Sequence, residues 1–132
     1  MRSVVALVVG LVAGVLMTVI ALNTLRKDTA YPNGVMAVMA AQMGHLDASL
    51  KAGACSADDL VTPLATLVAL GNDLEPAFLP TADDAAFSAL AADYRAAVAS
   101  AAAGAPADCV QADTALDAIS ATCKACHQQF KS

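Results

Sequence analysis

Downstream of Pro32, apolar residues recur at alternating spacings of three and four in four stretches. They are Met36-Met39-Met43-Leu46-Leu50, Leu60-Leu64-Leu67-Gly71-Leu74, Phe87-Leu90-Tyr94-Ala97-Ala101 and Ala112-Leu116-Ile119-Cys123-Cys126-Phe130. This period puts one apolar stripe on each of four helices. Helices with such stripes and short connections pack lengthwise, so the pattern predicts an all-α, antiparallel up-down-up-down four-helix bundle.

Turn and cap residues mark the ends. Tyr31-Pro32-Asn33-Gly34 is expected to open the first helix, with Pro near its first position, and Gly53 to close it. The second helix starts at Ser56-Ala57-Asp58-Asp59 or, after an irregular turn, at Thr62-Pro63. Glu75 to Pro80 is the longest break. Thr81 to Asp84 caps the third helix, Gly104-Ala105-Pro106 ends it, and Asp108 caps the fourth.

Upstream the pattern changes. From Val4 to Leu22 there is no charge, with Arg2 before and Arg26 and Lys27 after. Roughly 20 apolar residues span a bilayer as a helix. A cleaved export signal has a shorter core of roughly 7–15 residues, and Val19-Ile20-Ala21 resembles its cleavage site. Length favours a retained transmembrane helix, with cleavage as the alternative. The chain thus divides into a signal-anchor or signal peptide at 1–27 and a helical domain at 28–132. Either outcome exports the domain to the periplasmic side of a bacterial inner membrane, anchored or soluble.

Composition supports helix and narrows function. The 132 residues include 58% hydrophobic and 4% aromatic types, with Ala at a quarter of all positions. Ala is the residue that loses least on entering a helix. A net charge of −5 argues against nucleic acid as a partner, and a mean hydropathy of +0.62 argues against disorder. No nucleotide-binding glycine pattern occurs.

The chemistry concentrates at the C-terminus. Cys123-Lys124-Ala125-Cys126-His127 is the c-type haem attachment pattern, in which two thiols bond the haem and the adjacent His ligates the iron. Thiol redox and half of a zinc site are the alternatives. The first usually sits in a βαβ context, and the second needs more ligands, for which the only other His is His45. His45 lies off the first stripe and is expected in solvent.

A haem motif in the last turns of the final helix of an acidic, Ala-rich chain resembles the cytochrome c′ family, the class II c-type cytochromes. Phe130-Lys131, Phe78 before Leu79-Pro80-Thr81, and Met36 before Met43-Gly44 are similar to that family's ending, its connection between second and third helices, and its first helix. The chain departs from the family at Pro32, where members often carry Arg, and lacks their longer Trp-containing segment near Asp84. The resemblance implies one covalently attached haem c, held by Cys123 and Cys126, with His127 as fifth iron ligand and Met39 and Phe130 packing against it. It also implies that Met36 stands at the sixth position, where it either ligates or leaves the iron open to nitric oxide or carbon monoxide. Thioether ligation suits electron transfer, whereas a Met there can also be a plain core filler.

In an up-down-up-down bundle the loops holding Cys55 and Cys109 share one end, and an oxidising compartment favours a disulfide between them over two free thiols. His127, Met36 and the membrane segment share the other end. Arg26, Lys27, Lys124 and Lys131 cluster toward it, where helix dipoles favour cations at C-termini and where a partner or lipid surface would also meet them. The expected function is one-electron transfer with redox partner proteins of the exported or membrane compartment. A gas-binding haem protein is the alternative, and a homodimer a further expectation. No acid/base constellation of an enzyme is visible.

Overall fold

The computed structural model describes residues 2–79, 81–104 and 106–130, and within them the side chains of all but 2–7 and 23–29. The described residues are helical, without strands: α1 (Arg2–Lys51), α2 (Ala57–Leu70), a one-turn α3 (Leu74–Ala77), α4 (Ala85–Ala103) and α5 (Cys109–Phe130), with 3-10 turns at Gly71–Asp73 and Thr81–Asp83. The chain forms two compact units, Met1–Asn33 and Gly34–Ser132. The division falls just beyond the 27/28 boundary expected from hydropathy.

In the first unit the side chains of residues 8–22 are all exposed, Val9 and Leu11 by 61% and 64%. Among the described residues no helix is long and apolar enough to cross a membrane. The side chains of Val4 to Leu7, which complete the apolar run, lie outside the described set, as do those of Arg2, Arg26 and Lys27.

The expected helix start at Pro32 is corrected. Pro32 lies inside α1. It removes one backbone donor but leaves φ helical, and helix-forming residues lie on both sides, so the missing bond does not end the helix. The end is as the sequence implies. Gly53 adopts φ +73°, and the amides of Gly53 and Ala54 bond the carbonyls of Leu50 and Ser49 at 3.0 and 2.9 Å, which is the Schellman closure of a helix.

The second start is the earlier of the two alternatives. Ser56 and Asp59 form a reciprocal capping box, and Pro63 sits buried inside the helix. Of the Glu75–Pro80 break, Glu75 to Ala77 belong to α3 and Phe78 and Leu79 form a turn, with Pro80 outside the described residues. Asp84 caps α4 by accepting from the Ala86 amide at 2.7 Å. Asp108 caps α5 by accepting from the Gln111 amide at 2.9 Å.

The core of the second unit joins all four long helices. Leu67, Val98 and Ile119 have no or almost no exposed surface, surrounded by Val35, Met39, Leu46, Leu60, Leu64, Phe87, Ala91 and Tyr94. One small internal void is bordered by Leu46 and Leu50 at the end of α1, Leu60 and Leu64 at the start of α2, Ala101 at the end of α4, and Ala112 to Ile119 at the start of α5. Two helix ends and two helix starts therefore meet at one end, which is the up-down-up-down arrangement. Cys55 and Cys109 are bonded at that same end.

Candidate haem-attachment site

The opposite end carries the Cys-x-x-Cys-His motif. Helical spacing puts Cys123 and Cys126 on one face of α5, and both are free, half-buried and packed against the apolar cluster. His127 follows one position round the helix and is exposed, with Lys124 exposed beside it. Lys131 lies outside the described residues.

Burial sets the thiol chemistry. The Cys123 thiol is pushed above its ordinary range mainly by burial and secondly by the charge of Cys126, against a smaller opposing hydrogen bond from Thr122. Burial also raises Cys126. Both thiols stay protonated at neutral pH, the form that supplies S–H.

Met39 is buried, and Met36 and Met43 are half-buried against the same cluster. Leu50 and Ala112 border one void at the disulfide end. Met36 lies 14 residues before Leu50 and Cys126 lies 14 after Ala112, about 21 Å along each antiparallel axis at about 1.5 Å per residue. That brings Met36 and the motif to the same level of the bundle. Phe130 is half-buried and meets Phe87 edge to face at 5.4 Å, and Phe87 meets Phe78 at 5.7 Å. His45 is exposed.

The donor set has the chemistry a haem c requires. Cys123 and Cys126 would hold it by thioether bonds, His127 carries the imidazole, and the other two cysteines are consumed in the disulfide. Among the described residues no group of three or more His, Cys, Asp or Glu gathers as a metal-ion site. A groove of about 260 Å³ between α4 and α5 is lined by small and uncharged residues such as Ala97, Ser100, Gly104 and Gln111, and brings no further ligand.

Sequence reading missed a polar cluster above the motif. The buried Tyr94 hydroxyl donates to the Leu67 carbonyl at 3.1 Å. Its neighbour Arg95 donates to the Gly71 carbonyl at 3.2 Å and to the Glu75 carboxylate at 2.7 and 2.8 Å. The Tyr94 phenol is pushed above its ordinary value by burial first and then by the charge of Cys123. Tyr94 and Gly71 appeared in the apolar stripes only as packing positions.

No family model matches the chain, and no curated protein does either. Among solved structures it is similar to a cytochrome c′ from Rubrivivax gelatinosus, with a TM-score of 0.66 and 22% identity over 80% of this chain and 94% of that one. The chain therefore has the cytochrome c′ fold.

Proposed function

We propose that this chain is an exported c-type haem protein that carries one electron at a time, with a single haem c on Cys123 and Cys126, His127 as fifth ligand and Met36 as sixth. One observation carries the reading: two free, half-buried thiols and an adjacent imidazole end the last helix of a bundle with the cytochrome c′ fold. A bound haem supplies the one-electron iron couple. Cys123 and Cys126 would hold it by two thioether bonds, His127 would provide an imidazole and Met36 a thioether sulfur, a ligand type that raises the potential.

A second reading is favoured by the neighbour being a cytochrome c′: a five-coordinate haem, with Met36 packing but not ligating, that binds nitric oxide or carbon monoxide. The optical spectrum of the reduced protein, with and without carbon monoxide, separates the two. A sharp low-spin spectrum indifferent to the gas supports the carrier. A broad high-spin spectrum that shifts supports the gas binder, and a purified protein without haem overturns both.

The reading includes a retained N-terminal segment holding the domain on the periplasmic side of a bacterial inner membrane, supported by the charge-free run Val4 to Leu22 and by the exposed apolar side chains of residues 8–22. Cleavage, leaving a soluble periplasmic protein, is the alternative. N-terminal sequencing of the mature protein tests the pair: a start at Met1 supports retention, and a start at Leu22, after Val19-Ile20-Ala21, overturns it. Redox proteins of the same compartment are the partners on this reading, and self-association to a homodimer is tested by sedimentation. The chain acts as a carrier without an enzymatic site of its own.

A further inference from the structure

We infer that Tyr94 and Arg95 are positioning residues for the haem site, acting by clamping the end of α2 to the face of α4 that meets the haem-bearing turn. The inference rests on the haem reading above.

The last turn of α2 and the 3-10 turn that follows it each take an additional side-chain donor from α4, supplied by two consecutive residues; the Leu67 carbonyl also accepts from the Gly71 amide. Tyr94 Oη donates to the Leu67 carbonyl and Arg95 to the Gly71 carbonyl, at 3.1 and 3.2 Å. The same Arg95 nitrogen, Nη1, also donates to both oxygens of the Glu75 carboxylate of α3, at 2.8 and 2.7 Å. The approach depends on Gly71: a Cβ there would stand 3.0 Å from Arg95 Cγ and 3.3 Å from Tyr94 Cε1.

The clamp has two outlets toward the motif. Tyr94 is 5% exposed, in the apolar cluster against which the first attachment thiol, Cys123, also packs. Glu75 lies in α3, directly before Phe78, whose ring begins the run Phe78–Phe87–Phe130 that ends three residues past His127. Moving the α2 end relative to α4 shifts both the Cys123 side and the Phe130 side of the motif. Neither Tyr94 nor Arg95 is a candidate ligand.

The test compares haem-loaded Tyr94→Phe and Arg95→Met with the parent and with Lys51→Met, which breaks the exposed Lys51–Asp47 pair far from the motif. Tyr94→Phe keeps the ring and loses the hydroxyl bond. Reduction potential, reduced-state spectrum and melting temperature are measured for each. Both clamp variants are expected to shift the one-electron reduction equilibrium by at least about threefold, about 28 mV, with Arg95→Lys restoring part of the shift and Lys51→Met leaving it unchanged. Lower melting temperatures with an unmoved potential and spectrum overturn the inference and leave a merely structural clamp. If Tyr94→Phe fails to accumulate, the part-exposed Arg95→Met decides by the same criteria. A parent that carries no haem overturns the underlying reading, an outcome distinct from haem-loaded variants that match the parent.

Discussion

Cys55 and Cys109 stand with their Cα atoms 5.1 Å apart at a sequence separation of 54. The bond ties the α1–α2 loop to the first residue of α5, at the end of the bundle away from the motif. Cys109 and Cys123 are 14 residues apart on one helix, about 21 Å, far beyond the roughly 7 Å Cα separation a disulfide tolerates. The fold thus keeps the bonded pair away from the free pair, Cys123 and Cys126, which the haem proposal requires to be reduced. Replacing both Cys55 and Cys109 by Ser is expected to cost up to about 4 kcal/mol on the chain-entropy account. Denaturant unfolding of the haem-loaded variant checks the figure, and its visible spectrum should match the parent.

His127→Ala is expected to abolish the parental haem spectrum while leaving the pigment covalently attached, because the two thioether bonds do not depend on the imidazole. Met36→Ala is expected to convert a low-spin spectrum to a high-spin one that responds to carbon monoxide. A spectrum identical to the parent's would remove Met36 from the coordination sphere and select the gas-binding reading.

Two glycines should respond in opposite directions to alanine. At Gly71 the new methyl meets Arg95 and Tyr94 at 3.0 and 3.3 Å, and overpacking of this kind costs about 1–3 kcal/mol. At Gly44, inside α1 with nothing within 4 Å, the same change should stabilise by about 0.5–1 kcal/mol through helix propensity. Urea midpoints of the two variants, measured side by side, give the signs directly.

Stability of the haem-free chain should fall on the alkaline side. The Cys123 and Cys126 thiols are raised above their ordinary 9.0 and the Tyr94 phenol above its ordinary 10.0, in each case chiefly by burial. The folded state therefore holds these protons at a pH where the unfolded chain releases them. Their contribution is complete below the unfolded values and is lost as pH rises through them. Unfolding at about pH 8 and about pH 10.5 should show the decline, beginning with the thiols. Cys123→Ser with Cys126→Ser should flatten its first part, as should thioether formation.

Much of the bundle was readable from local chemistry. Ser56 with Asp59, Asp84, Asp108 and Gly53 act on backbone groups within a few residues, so their roles follow from short-range spacing alone. The second stripe, Leu60 to Leu74, is buried throughout, because its Leu residues stand out clearly from their neighbours. The Cys-x-x-Cys-His motif on which the haem proposal rests is also visible in sequence alone, since its five residues are contiguous.

Other features belong to the tertiary structure. Ala91 and Val98 are buried in α4 although the stripe ran through Leu90 and Ala97, which are only half-buried. In a helix this rich in Ala, several faces are nearly equally apolar, and the choice falls to whichever neighbour packs closest. The same holds at Pro32, where a residue suited to a helix start is carried inside a helix. The clamp of Tyr94 and Arg95 on the end of α2 joins residues 20 to 27 apart. The sequence by itself determined which segments are helical, where most of them end and where the Cys-x-x-Cys-His motif stands, since those depend on neighbours along the chain. Which helix faces meet, and which side chains reach the carbonyls at the end of α2, was decided only by packing in three dimensions, because those contacts exist only once the helices lie side by side.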